Sequence, residues 1–406
     1  MVLTVSLPSR TSLQSLLDLL PVGRTTGQVG QLVPLMAIAA IFGLALSATA
    51  VVVAQRVLGT GGAVAACALL VGNIVSLQML ALGAFHALAS LLKRCVRLPH
   101  QYAVAGGAAV VMASALLAFS RDVLEFRYGQ EAWSPWDLLL PRLTARILAG
   151  EGLAVVGIGV WWIAAAIVFV AGSRMHRQEQ APAGIRLLTR TTPPSGEFAA
   201  GAWFEALIAI RTPQFIVTCL ASLPLVLAVR GMSAVELIAP AAEKLAAGLP
   251  AVPFALGMYA VGRTMRFRWL GAIIQGRWSW WIGPQVAAYA LVGVGLAIPI
   301  YAAELALGMI AIGDTPGVVA RMALIFAVAL LAGALIPYSE DQGLSVTAAG
   351  FLAAIAVMLS SLLTSWVASA TNSLTAAAAE VLLAGLFLLL YAAAASSQEN
   401  NVARYV

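Results

Sequence analysis

The chain alternates between long apolar runs and short polar loops from residue 33 to residue 395. An α-helix rises 1.5 Å per residue, so about 20 apolar residues are needed to cross the roughly 30 Å hydrocarbon layer of a bilayer. Hydrophobic residues make up 61% of the 406 residues and charged residues only 10%, whereas about a quarter of a soluble domain is charged. The sequence therefore predicts an all-α, polytopic membrane protein.

About ten of the apolar runs are predicted to form membrane-spanning helices. Lys and Arg cluster in every second loop, for example in Lys93–Arg97 and Arg263–Arg277, as the positive-inside rule expects of cytosolic loops. Both termini are therefore predicted to be cytosolic, and the formal charge of +6 is attributed to the cytosolic membrane face rather than to nucleic acid. The predicted spans are Val33–Val53, Ala63–Phe85, Tyr102–Phe119, Ala149–Val170, Phe215–Val229, Ala251–Met265, Ile282–Tyr301, Val318–Pro337, Leu344–Trp366 and Leu374–Ala395.

The longest polar stretch, Ser173–Gly196, is rich in Pro, Gly and Arg and is typical of a cytosolic linker. It divides the chain into two predicted membrane halves. The N-terminal half, residues 1–172, contains about four spans, and the C-terminal half, residues 198–406, contains about six, counted at about 20 residues each. The linker between them is placed at residues 173–197.

Motifs of nucleotide, metal and nucleophilic chemistry are absent from the sequence. A P-loop requires G-x-x-x-x-G-K-[ST], but the two lysines, Lys93 and Lys244, are followed by Arg and Leu. Neither H-E-x-x-H nor G-x-S-x-G occurs, and the three cysteines are scattered without metal-ligand spacing. We therefore expect no catalytic residue, no metal site and no cofactor bound by this chain.

Polar residues inside the predicted spans are candidates for a substrate path, because polar and charged groups are costly in the bilayer. Glu380 lies about 10 Å along the last span at 1.5 Å per residue. Asn73 and Ser76 form a second polar patch in the second span. Each of the three could instead hydrogen-bond neighbouring helices to one another, which is the commoner role of such residues.

Two cytosolic segments resemble each other without a gap: Leu17–Val33 (LDLLPVGRTTGQVGQLV) and Leu270–Val286 (LGAIIQGRWSWWIGPQV). The first is similar to the cytosolic turn that precedes the third helix in permeases of type 2 ATP-binding-cassette exporters. Phe204–Val229 resembles the amphipathic elbow helix and first span of a half in the same family. Gly333–Gly350 resembles a later Pro-containing turn of that family, and Leu91–Gln101 would be its counterpart in the first half.

This resemblance implies a permease subunit in a prokaryotic inner membrane, whose cytosolic turns dock on a separate P-loop ATPase subunit that binds ATP and Mg²⁺. The low charge and many small residues of the spans suit an apolar or amphiphilic substrate such as a lipid, a peptide or an antibiotic. The same turns could be ordinary interfacial loops, with their Arg side chains held by lipid phosphates. The implied ATPase-coupling residues are Leu20, Pro21, Gly23, Arg24, Gly276, Arg277 and Trp278.

The chain departs from the family in having four plus six spans rather than two sets of six. A second copy or another membrane subunit could supply the two helices that the shorter half lacks. Two other classes stay open: a secondary transporter driven by an ion gradient, and a membrane assembly subunit that transports nothing.

Overall fold

The computed structural model describes residues 47–122, 140–175, 191–233, 239–264, 280–337, 343–370 and 373–403, together with Leu188 and scattered positions from Gly30 to Ala45. These residues form helices and turns, and no β-strand occurs among them. Seven of the helices are long and apolar enough to cross a membrane. The prediction of an all-α, multi-pass membrane protein is confirmed at this level.

The chain separates into two compact units, with the break between Pro182 and Ala183. The break falls inside the segment that the sequence predicts as a linker. Unit 1 contains α1 (Ala48–Cys95), α2 (His100–Asp122), α3 (Leu140–Leu148) and α4 (Gly152–Met175). Within it, α1 packs against each of the other three helices.

Helix α1 is interrupted at Gly59, whose φ of 72° and ψ of −170° are not helical. A Cβ atom added at Gly43 would be 2.9 Å from Ile74 Cδ1, although a straight helix would separate these two residues by about 46 Å. The chain therefore reverses direction at Gly59, where glycine is favoured because other residues rarely adopt a positive φ. This reversal agrees with the prediction of two separate spans, Val33–Val53 and Ala63–Phe85.

Helices α1 and α4 approach each other most closely at two glycines. A Cβ atom at Gly83 would be 2.6 Å from the Phe169 Cα atom of α4, and one at Gly172 would collide with the backbone of Gly83. In a membrane, the hydrophobic effect provides little driving force for helix association, because lipid tails are as apolar as the side chains. Small residues at a contact instead let two helix backbones pack closely against each other. The crossing fixes α4 against α1 within unit 1.

Unit 2 contains the remaining elements, and α10 is its central helix. In the most apolar stretch of α10, 61% of residues are buried, against 33% or less in every other helix of spanning length in the described part. Helix α10 contacts α11, α12 and the 3₁₀ helix. The elements of unit 2 are α5 (Glu197–Ile210), α6 (Pro213–Ser233), α7 (Ala239–Ala246), a 3₁₀ helix (Leu249–Tyr259), α8 (Ala260–Thr264), α9 (Ile282–Ala306), a 3₁₀ turn (Ile312–Asp314), α10 (Thr315–Leu335), α11 (Gly343–Ala370) and α12 (Ser373–Ala403).

The predicted span Ala251–Met265 differs in the structure, where it is not a continuous α-helix. Residues Leu249–Tyr259 form a 3₁₀ helix that continues into the short helix α8. Pro250 and Pro253 lie inside this segment, and proline lacks the N–H that an α-helix requires. Backbone that leaves the α-helical hydrogen-bond pattern is tolerated at membrane depth where protein surrounds it, and eight of the eleven residues of the 3₁₀ helix are buried.

Two glycines on neighbouring helices provide the space for this 3₁₀ helix. A Cβ atom at Gly293 of α9 would be 2.6 Å from the Phe254 ring, and one at Gly333 of α10 would collide with the Met258 carbonyl. The 3₁₀ helix is therefore enclosed between α9 and α10, and the ring of Phe254 makes an edge contact with that of Phe326. The other predicted spans of unit 2 lie in long α-helices.

Candidate functional site

Unit 2 encloses a group of hydrogen-bonded polar side chains that we call the Gln285 cluster: Gln285, Glu205, Thr264 and Tyr391. All four residues are buried, and Gln285 is 0% exposed. They come from α9, α5, α8 and α12 respectively. Buried polar groups of this kind stabilise one arrangement of helices strongly, because an unsatisfied partner is costly in a low-dielectric interior.

Gln285 is at the centre of the cluster and uses both ends of its amide. Its Nε2 atom donates to the Ala260 carbonyl at 2.9 Å and to the Thr264 hydroxyl at 3.1 Å, with the Glu205 carboxylate 3.4 Å away. Its Oε1 atom accepts a hydrogen bond of 2.7 Å from the Tyr391 hydroxyl. A glutamine amide has two donor hydrogens and a carbonyl oxygen that accepts, so both ends of the Gln285 side chain are hydrogen-bonded.

A second set of polar contacts lies beside Thr264. The neighbouring residue Arg263 donates a hydrogen bond of 2.6 Å to Gln214 Oε1 at the start of α6. The Arg263 guanidinium also lies over the Tyr259 ring, 5.7 Å from its centroid, within the range of cation–π attraction. Through the bond between Arg263 and Gln214, α6 is also hydrogen-bonded to α8.

Two residues of the Gln285 cluster lie on opposite sides of segment 265–279 in the sequence. Thr264 is the last described residue before segment 265–279, and Gln285 follows shortly after that segment. Their hydrogen bond therefore joins α8 to the first turn of α9, on either side of this segment in the sequence. The predicted coupling residues Gly276, Arg277 and Trp278 belong to this segment. They lie outside the described residues, as do Leu20, Pro21, Gly23 and Arg24.

The predicted path residues Asn73 and Ser76 lie among the helices of unit 1. The Asn73 side chain donates to the Thr144 hydroxyl of α3 at 2.7 Å and accepts from the Trp162 indole of α4 at 3.2 Å. Ser76 donates to the Asn73 carbonyl within α1. Asn73 thus joins three helices, which is the interhelical role that the sequence left open for it.

Glu380, the third predicted path residue, forms an ion pair on α12. Its Oε1 atom is 2.7 Å from Arg321 Nη2 of α10, and the side-chain exposure is 5% for Glu380 and 34% for Arg321. Ala384, one turn along from Glu380, packs against Leu324 in an apolar cluster between the same two helices. Glu380 therefore contacts the neighbouring helix α10.

Sequence reasoning missed all four residues of the Gln285 cluster and, in addition, the buried residue Glu304. Gln285 and Glu304 lie on the single buried face of α9, which also carries Tyr289, Ala297 and Ile300 at helical spacing. Glu304 was overlooked because the predicted span ended at Tyr301, whereas the helix continues to Ala306. Extending the helical spacing of small and apolar residues in both directions would have placed Gln285 and Glu304 on this face.

No known protein family, curated protein or solved structure matches this chain. The seven long apolar helices define the class, a multi-pass α-helical membrane protein. Any more specific assignment depends on the polar clusters described above.

Proposed function

We propose that this chain is the membrane permease subunit of an ATP-driven exporter in a prokaryotic inner membrane. A separate cytosolic P-loop ATPase subunit would bind ATP and Mg²⁺ and hydrolyse the nucleotide. The observation that carries the proposal is the hydrogen bond between Thr264 and Gln285, which joins α8 to α9 on either side of segment 265–279. This segment contains the first part of Leu270–Val286, which resembles Leu17–Val33, the stretch that is similar to a cytosolic turn of type 2 exporters.

The Gln285 cluster gives a physical route from that turn to the membrane helices. In this proposal, a displacement of segment 265–279 would act on Thr264, which directly precedes it, and on Gln285, which follows shortly after it. Gln285 is hydrogen-bonded to Tyr391 of α12, and Glu205 of α5 lies beside it. Since breaking these buried bonds is costly, α5, α8, α9 and α12 are expected to move together.

The element order of unit 2 supports the same proposal. Helix α5 precedes the first spanning helix α6 and packs against α9. Its residues Glu205, Ala206 and Ala209 are buried, while Phe198 and Phe204 are exposed. This is the position expected of the elbow helix of an exporter half.

The substrate proposed is apolar or amphiphilic: a lipid, a peptide or an antibiotic. The spans of unit 2 carry few charged residues, and their outward-facing surfaces are lined with residues such as Leu291, Leu362 and Leu382, which are more than half exposed. Such surfaces are compatible with lipid contact. In an exporter with two membrane subunits, the second subunit would be either another copy of this chain or a different membrane protein.

Co-purification from native membranes tests the proposal. The tagged chain is isolated in mild detergent, and the accompanying proteins and ATP hydrolysis are measured in the same fraction. The wild type is expected to bring down a P-loop ATPase in stoichiometric amount, and Gly276→Ala with Arg277→Ala is expected to lower its recovery severalfold.

Arg174→Ala is the matched control for these variants. Arg174 is an exposed basic residue in the last turn of α4 and lies outside the turns that the resemblance implies, so its loss removes a positive charge without changing the proposed docking turn. Loss of the ATPase in the Gly276 and Arg277 variants alone supports docking at the turn. Equal recovery in all variants would remove the site assignment, and isolation of the chain without any ATPase would contradict the exporter proposal.

A gradient-driven secondary transporter is the second candidate, and the broken pass Leu249–Thr264 favours it. Transporters of that class often form their binding sites at discontinuous helices inside the bundle. Transport in vesicles separates the two candidates: collapse of the ion gradients by ionophores stops a secondary transporter, whereas removal of ATP stops an exporter.

A further inference from the structure

A third buried acidic residue, Glu304, lies on α9 about 28 Å along the helix from Gln285. The residue is 0% exposed. Neither carboxyl oxygen has a hydrogen-bond partner among the described residues. A carboxyl group in this state contrasts with Glu205 and Glu380, each of which has a polar group beside it.

The surroundings of Glu304 are apolar. One helical turn before it, Ile300 belongs to a group of buried residues that we call the Ile300 cluster: Val226, Val229, Ala242, Ala246, Leu249 and Ile300. Helix α9 ends at Ala306, and Gly308 with φ of 63° turns the chain back. The Met309 N–H donates to the Glu304 carbonyl, and the Met309 side chain packs on the Ile300 cluster.

No charged side chain of the described residues compensates Glu304. The ionisable residues on the adjacent elements are Arg230, Glu243, Lys244 and Asp314, all of which are exposed. None of them forms an ion pair or hydrogen bond with Glu304, and Asp314 instead accepts a hydrogen bond from the Ala311 N–H. Glu236 lies outside the described residues, and Tyr301 on α9 itself is hydrogen-bonded to Thr315.

An ionised carboxylate without a partner is strongly disfavoured in an apolar interior, where the group takes up a proton instead. A metal cation would need several oxygen ligands around it, but no group of three or more His, Cys, Asp or Glu residues that could hold a metal occurs in the part of the chain that the structure describes. The ligand that suits Glu304 is therefore a proton.

We propose that Glu304 is a proton-binding site, neutral while the Ile300 cluster is closed, and that release of its proton is coupled to opening of the turn at Gly308. Protonation stabilises the closed arrangement, because only the neutral acid is compatible with burial. Raising the pH removes the proton and favours the open arrangement, in which water solvates the carboxylate. This site does not depend on the proposed ATPase partner.

Infrared spectroscopy of the purified full chain tests the protonation state. At pH 7, where a solvated glutamate is ionised, the wild type is expected to show the carbonyl stretch of a protonated carboxylic acid. Glu304→Gln is expected to remove that band, whereas Glu380→Gln, which changes an ion-paired carboxylate, is expected to leave it. A wild-type spectrum without the band, or a band that persists in Glu304→Gln, would overturn the proposal.

Cysteine labelling tests the coupling to opening. Met309→Cys is made in a chain that retains the exposed Cys95 but lacks Cys67 and Cys219, so that Cys95 reports the reagent's own pH dependence. From about pH 4.3, where a solvated glutamate titrates, the labelling rate at position 309 relative to Cys95 is expected to rise with pH, by up to about tenfold per pH unit for one released proton, until the carboxyl of the closed arrangement is ionised as well. The same rise in the Glu304→Gln background would overturn the coupling.

Discussion

The Gln285 amide nitrogen donates to the Thr264 hydroxyl across 3.1 Å, although segment 265–279 separates the two residues in sequence. The same nitrogen donates to the Ala260 carbonyl, and that carbonyl also accepts from Thr264. The last turn of α8 is thereby attached to the first turn of α9. Under the proposed function, movement at one of these two helix ends would therefore act on the other.

Tyr391→Phe tests the link from this cluster to α12. The change removes the hydroxyl that donates to Gln285 Oε1 and leaves a buried carbonyl acceptor unsatisfied, at a cost of about 1–3 kcal/mol. We expect a lower melting temperature in detergent by thermal unfolding. Tyr102→Phe in unit 1 is the control. An unchanged melting temperature for both variants would contradict the stabilisation assigned to the hydrogen bond between Tyr391 and Gln285.

The coarse fold could be predicted from the sequence, whereas the Gln285 cluster could not. Apolar length alone identifies spans such as Leu374–Ala395, because the requirement to cross a bilayer is local in sequence. The contact between Glu205 and Gln285 joins residues 80 positions apart, and no local pattern identifies such a pair. Hydropathy also gives no sign that Leu249–Tyr259 is a 3₁₀ helix, although Pro250 and Pro253 were visible signals of an interrupted α-helix.

Gly333→Ala tests whether the 3₁₀ helix depends on close contact with α10. The added Cβ atom would collide with the Met258 carbonyl, so the backbone of one element must shift. Overpacking of this kind typically costs about 1–3 kcal/mol. Gly385→Ala on α12 is the matched control, because its added Cβ meets nothing within 4 Å; it is expected to be neutral or slightly stabilising in the same thermal assay.

Equal effects of the two alanines would contradict this account of the 3₁₀ helix. A large loss in Gly385→Ala would indicate that the site of Gly385 is occupied by a partner in the native assembly. A neutral Gly333→Ala would mean that the 3₁₀ helix can retreat from α10 without loss of stability.

Asn73→Leu tests the corresponding polar junction in unit 1. The substitution leaves the Trp162 indole N–H without its acceptor and removes the donor to the Thr144 hydroxyl. Polar contacts between membrane helices average well under 1 kcal/mol and reach about 1.7 kcal/mol, so a loss of about 1 kcal/mol is expected in unfolding by denaturant. Ser114→Ala is a suitable control, since that hydroxyl donates only within its own helix.

A double-mutant cycle on Arg321 and Glu380 decides whether Glu380 is a helix-joining residue or part of a transport path. Arg321→Ala leaves the buried Glu380 carboxylate without its charge partner, whereas Glu380→Gln leaves an arginine that is a third exposed and whose charged end can reach water. We therefore expect Arg321→Ala to be the more destabilising of the two, by about 1–2 kcal/mol.

The double variant Arg321→Ala with Glu380→Gln should recover part of the loss seen in Arg321→Ala alone, because no unpaired charge remains buried. If Glu380 acts only through this ion pair, the double variant also retains transport in vesicles. Transport could be lost in Glu380→Gln and in the double variant while stability is recovered in the double variant. This outcome would show that transport needs the carboxylate itself, independently of its ion pair with Arg321. That result would place Glu380 on the substrate path after all.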